Sequence, residues 1–239
     1  MLRTAFSNKH GLFASAFGDW FVARAAARTI PLVAIHSESV RFECDKLTEL
    51  EAALHVCWLI SRDCQHRLRN SELIELQSCL GEVGQFETRF NIETTEVMRY
   101  AMLYFSCHLN RNKFLENKAR ASNAELTDGI SPRAKSSLWS MDNLIFSERG
   151  KAFIETFTCE LQWDLQRADT EHDATAGVPL FRDNKIPTEL NGLLTKIRQY
   201  KPTTEGTFML YDRWSCGEQV ELDLVLQQYH SCVNTNKPT

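Results

Sequence analysis

The chain has 239 residues, of which 43% are hydrophobic and 10% aromatic, and a formal net charge of -4. That apolar content is enough to bury a sizeable core in one large domain or two small ones, and it excludes an intrinsically disordered chain. The net negative charge excludes a protein that coats nucleic acid over its whole surface.

Charge is nevertheless unevenly spread. Residues 1–37 carry Arg3, Lys9, Arg24 and Arg28 against Asp19 alone. Over 155–173 the balance reverses, with Glu155, Glu160, Asp164, Asp169, Glu171 and Asp173 against Arg167. Such a chain either offers a basic face to a polyanion or pairs its charges between helices. The apolar run at 12–17 follows Arg3 and Lys9 but is short for a secretory signal, and Arg24 and Arg28 interrupt anything long enough to span a bilayer. With eight scattered cysteines and no C-x-x-C pair, the expectation is a cytoplasmic protein with reduced thiols.

In chain order, Phe13, Phe17, Trp20, Phe21 and Arg24 fall at helical spacing and predict a helix over 12–29, ended by the Ile30-Pro31 junction. A short extended piece is expected over 32–42. Leu47, Leu50, Leu54, Cys57, Trp58, Cys64 and Leu68 predict a long amphipathic helix, and Ser71 caps another that buries Leu73, Leu76 and Leu80. Gly81 and Gly84 bracket a turn into 85–92, where Phe86, Thr88, Phe90 and Ile92 alternate with Gln85, Glu87, Arg89 and Asn91 as on a two-faced strand. Thr94 or Thr95 then caps a helix carrying Val97, Ala101, Tyr104, Phe105 and Leu109.

The polar stretch 123–137, with Asp128-Gly129 and Pro132, reads as a linker between regions 1–125 and 126–239, which also read together as one continuous domain. Beyond it, Leu138, Met141, Leu144 and Ile145 mark one helix, and Phe153, Phe157, Leu161 and Leu165 mark another. An acidic loop is expected over 169–187, and Leu190, Leu193, Leu194 and Ile197 predict a helix stopped by Lys201-Pro202. The tail has two readings. Val220, Leu222, Leu224 and Leu226 alternate as in a strand that 207–214 would join as a hairpin across Ser215-Cys216-Gly217-Glu218, whereas Leu222, Val225, Leu226 and Tyr229 fit a helix. The fold class is therefore mainly α (α+β), a helical bundle-like core with a short β-ribbon near 85–92.

The ribbon Arg89-Phe90-Asn91-Ile92, followed by Thr95-Glu96-Val97-Met98 and an apolar helical stripe, resembles the ribbon-helix-helix DNA-binding family of the Met-repressor and Arc type, over residues 85 to about 120. The resemblance implies a homodimer whose paired strands enter the major groove of double-stranded DNA. It places Gln85, Arg89 and Asn91 against base edges and Thr94 or Thr95 at a phosphate, while Arg111, Lys113, Lys118 and Arg120 supply further phosphate contacts. Two residues depart from that pattern: Glu87 shares the DNA face, and 112–124 is thin in large apolar residues beyond Phe114 and Leu115.

Other constellations carry less. His55-Val56-Cys57 and Cys64-Gln65-His66 suggest a metal palindrome, but each His lies two positions from its Cys and points away from it around a helix, so no metal is expected. Trp163-Asp164 and Tyr211-Asp212-Arg213-Trp214 are polar-aromatic clusters, the latter read as a strand. No phosphate-loop, dinucleotide, zincin or nucleophile-elbow signature is present, and no cofactor is expected. The sequence thus reads as a DNA-binding transcriptional regulator, possessing a homodimer surface, room for another regulatory protein and no membrane contact. The alternatives are a non-enzymatic helical interaction or adaptor protein and, third, an enzyme whose site is assembled from scattered residues without a recognised motif.

Overall fold

The computed structural model describes residues 16–36, 44–63, 150–170, 178–199 and 208–234. These residues are mostly helical and include no strand. Helix α1 (Ala16–Thr29) is followed by a 3-10 turn at Ile30–His36, and α2 spans Cys44–Asp63. A 3-10 turn at Lys151–Phe153 leads into α3 (Ile154–Thr170), and then come α4 (Thr188–Gln199), α5 (Met209–Ser215) and α6 (Leu222–Asn234).

Helix α1 is the centre of the core. Ala23, Ala25, Ala26 and Ala27 are strong helix formers and small enough to let neighbouring backbones approach. Every residue from Trp20 to Ile30 is buried, so α1 is enclosed on all sides rather than on one stripe. The helix ends at Thr29, as the Ile30-Pro31 junction predicts, and the chain then tightens into the 3-10 turn instead of extending. Proline's fixed φ suits a 3-10 turn as well as an extended segment, which is why the junction alone does not distinguish them. Thr29 donates its hydroxyl to Ala26 O at 2.8 Å, closing the last turn.

Helix α2 packs on α1, α5 and α6, while α3 packs on α1, and the 3-10 turn at 30–36 packs on α4. The expected amphipathic character of α2 is not found: residues 50–61 are buried throughout, including Glu51 and His55. Cys64 and Leu68 lie outside the described residues, as do the helices expected over 71–80, 94–109 and 138–145 and the linker 123–137. The four-residue step holds from the 3-10 turn into α3, with Phe157 and Leu161 buried and Phe153 and Leu165 half-buried against the same core.

The acidic loop expected over 169–187 is corrected at both ends. Helix α3 continues to Thr170, and residues 178–187 form a packed turn that buries Val178, Leu180, Phe181 and Ile186. Leu180 N–H donates to Trp214 O at 2.9 Å, tying the turn to α5.

The tail is helical, which overturns the hairpin reading. Leu222, Val225, Leu226 and Tyr229 are buried at the i, i+3, i+4, i+7 spacing of one helix face. Gly217 does not turn a hairpin. Its φ of +71° lets the chain leave α5 by a Schellman closure, with Gly217 N–H on Trp214 O at 3.2 Å and Glu218 N–H on Arg213 O at 2.9 Å. A Cβ there would stand 3.3 Å from Pro179 Cβ, so the position favours glycine twice over. No helix among the described residues is long and apolar enough to cross a membrane.

Candidate functional site

The strongest concentration of charge in the described residues is internal. Arg24 and Arg28 lie one helical turn apart on α1 and so project the same way, toward α3 and the turn at 178–182. Asp164 receives both. Arg24 Nε donates to its two carboxylate oxygens at 3.1 and 3.2 Å, and Arg28 donates through Nη1 and Nη2 at 2.5 and 3.0 Å. The remaining donors reach three consecutive carbonyls: Arg24 to Val178 O at 3.2 Å, Pro179 O at 2.6 Å and Leu180 O at 3.2 Å, and Arg28 Nε to Leu180 O at 2.8 Å. All three charged side chains are 0% exposed.

Two aromatic layers complete the clasp. The Arg24 guanidinium lies 4.6 Å from the Trp20 ring centre and 5.6 Å from that of Trp163, and Arg167 covers Trp163 at 5.2 Å. Phe181 stands 5.8 Å from Arg28. Stacking on a desolvated ring face stabilises a guanidinium that has lost its water.

The electrostatics follow from enclosure. Burial, helped by the neighbouring Arg28 charge and opposed by Asp164, pushes Arg24 down to about 10, which leaves it cationic at neutral pH. For Asp164 burial acts to raise the pKa, but the fields and hydrogen bonds of the two arginines overcome it and hold the carboxylate below its usual range. Glu160, one turn earlier on α3, goes the other way. Its desolvation outweighs the pull of Arg28 at 3.7 Å and of the Arg182 N–H at 2.9 Å, so its pKa rises.

Two carboxyls with opposed shifts beside paired arginines have the composition of an acid-base site. Their enclosure gives a different role. With the guanidinium donors directed at protein oxygens and no exposed edge, the arrangement stitches α1, α3 and the 178–182 turn together. The charge asymmetry between the front and rear of the sequence is therefore, at these positions, ion pairing between helices.

A second buried polar group joins α2 to the C-terminal helices. His55 Nδ1 lies 2.6 Å from Glu51 O and Nε2 lies 3.3 Å from Gln228 Oε1 on α6. Glu51 Oε1 accepts the Phe208 N–H at 3.0 Å. Cys57 is buried, and burial raises its thiol pKa far above the ordinary value. Cys159 and Cys216 are exposed. Among the described residues no His, Cys, Asp or Glu cluster is arranged to hold a metal ion. Cys64 and His66 lie outside them.

Gln85, Arg89, Asn91, Thr94, Thr95, Arg111, Lys113, Lys118 and Arg120 also lie outside the described residues. The residues that the fold brings together instead are Arg24, Arg28, Glu160 and Asp164. Their sequence signals are the Trp163-Asp164 pair and the two arginines spaced i, i+4 inside an alanine-rich helix. Tyr211-Asp212-Arg213-Trp214 belongs to α5, where Asp212 pairs with Arg198 and Arg213 with Glu218. Compared with protein-family models, curated proteins and solved structures, the chain matches none of them.

Proposed function

We propose that this chain is a recognition protein rather than an enzyme, a helical frame that carries its contact surface in residues 85 to about 120 and reads double-stranded DNA with it. The observation that supports the frame is the Arg24–Arg28–Asp164 clasp, which spends the strongest cationic donors of the described core on holding helices in place. The observation that supports DNA as ligand is the alternation of Gln85, Arg89 and Asn91 against Phe86, Phe90 and Ile92, since long amide and guanidinium side chains on one face of a ribbon match base edges in the major groove. Lys113 and Lys118, with Arg111 and Arg120, provide positive charge for phosphates.

The second reading is an adaptor without nucleic-acid contact, favoured by the net charge of -4 and by Glu87 on the same strand face. A fluorescence-anisotropy titration against random and genomic duplexes at several salt concentrations separates the two. DNA reading requires affinity that falls steeply with salt, a loss of about 1 to 3 kcal/mol for the preferred site on Arg89→Ala, and a sequence-independent loss with a flatter salt slope on Lys113→Ala. Absence of binding at low salt, or an Arg89→Ala protein that binds as well as wild type, hands the function to the adaptor reading.

A further inference from the structure

His55 presents a problem of proton supply. A neutral imidazole has one N–H, yet both of its ring nitrogens face oxygen, Glu51 O at 2.6 Å and Gln228 Oε1 at 3.3 Å. Both contacts are donated only by the imidazolium. The neutral ring instead donates Nδ1–H to Glu51 O and accepts at Nε2 from the Gln228 amide turned over, so the amide's orientation follows the proton. On the same turn of α2, the Glu51 carboxylate holds the Phe208 N–H at 3.0 Å. Phe208 sits at φ +58° and ψ +26°, the left-handed region, which a bulky L-residue keeps only when its surroundings hold it there. Its carbonyl in turn accepts from Tyr211 N–H at 3.0 Å and Asp212 N–H at 3.3 Å, starting α5.

We propose that His55 and Glu51 form a proton-operated latch that fastens residues 208–234 to α2 at neutral pH and loosens them on acidification. The charged groups of the elements packed around α2 are engaged or directed elsewhere. Arg24 and Arg28 of α1 face Asp164, Asp212 and Arg213 of α5 pair with Arg198 and Glu218, and Asp223 and His230 of α6 are exposed, His230 lying edge-on to the ring of Tyr229. Tyr211 of α5 is buried against Phe181. Among the described residues, Glu51 is the charged group acting on the ring. An added proton would place a cation near that carboxylate, and the attraction opposes loosening, but the burial of the ring outweighs it.

The direction follows from enclosure. Burial lowers the folded pKa of His55, against its hydrogen bonds to Glu51 and Gln228. Opening therefore takes up a proton. The latch is fully closed above the ordinary histidine pKa of about 6.5 and weakens as pH falls below it toward the folded value, by about tenfold in opening per pH unit.

Hydrogen exchange of the intact chain between pH 7.5 and 5, corrected for intrinsic rates and read by mass spectrometry, tests this. Expected is faster exchange across 208–234 below about pH 6.5, with α1 still protected. Gln228→Glu, which sets a carboxylate at Nε2, should move the midpoint to higher pH, and His55→Gln should remove the dependence. If 208–234 and α1 open together at every pH, or if Gln228→Glu leaves the midpoint where it was, the latch is refuted. Should His55→Gln not fold, the wild-type profile and Gln228→Glu decide alone.

Discussion

Asp164→Asn isolates the worth of the buried clasp, because the amide keeps the shape of the carboxylate while removing its charge. In the wild type the two oxygens take the Arg24 Nε and both terminal nitrogens of Arg28, all at 0% exposure. Removing one partner of a buried pair costs about 3 to 5 kcal/mol because an uncompensated charge is left behind, and here two cations lose the same anion, which points to the upper end. A domain is stable by roughly 5 to 15 kcal/mol in total, so the loss removes about a third of that stability or more. Arg28→Met should be milder, about 2 to 3 kcal/mol, since Arg24 continues to pair with Asp164 and still reaches Leu180 O at 3.2 Å. The double variant should lose less than the sum of the two. Urea unfolding followed by tryptophan fluorescence measures all three, and two of the chain's five tryptophans, Trp20 and Trp163, flank Arg24, so part of the signal reports from the clasp. Because the folded Asp164 pKa lies below its unfolded value, this contribution is complete above about pH 4 and disappears as pH falls through the folded value. A loss below about 1 kcal/mol for Asp164→Asn, the range of solvent-exposed pairs, would refute the account of a sealed network.

Tyr211 Oη is buried with no hydrogen-bond partner among the described residues, so Tyr211→Phe should be neutral or stabilise by up to about 1 kcal/mol in the same denaturation assay; a clear loss would mean the hydroxyl is bonded. Asn184 holds φ +54° on an exposed turn, so Asn184→Gly should stay within about 0.5 kcal/mol of wild type in thermal unfolding, whereas Asn184→Val should cost about 1 to 2 kcal/mol. Brief alkylation of native protein should label Cys159 and Cys216 but leave Cys57 for the unfolded chain, as peptide mass spectrometry will show; rapid labelling of Cys57 would contradict its burial.

Helix positions were legible where a periodic apolar stripe met a stop signal. The stripe of Leu190, Leu194 and Ile197 and the Pro31 junction placed α4 and the end of α1. The clasp was not legible, because Arg24 and Asp164 are 140 residues apart and nothing local says that an arginine in an apolar helix meets a carboxylate rather than water. The tail misled for a related reason. Leu222, Leu224 and Leu226 alternate only because Leu224, half-buried, interrupts the true face, and Gly217 marks a helix end and a hairpin turn equally well.

The arginines of α1 find their partners 136 to 156 residues later in the chain. At a synthesis rate of roughly 5 to 20 residues per second, that interval lasts on the order of ten seconds. Throughout it a nascent chain has made its central helix but not the carboxylate and carbonyls that neutralise it, so α1 cannot be enclosed without leaving two charges uncompensated. Final enclosure of the core is thereby deferred until 160–182 has emerged, and any product terminated earlier keeps an apolar helix bearing two cations exposed, a form suited to capture by chaperones or proteases.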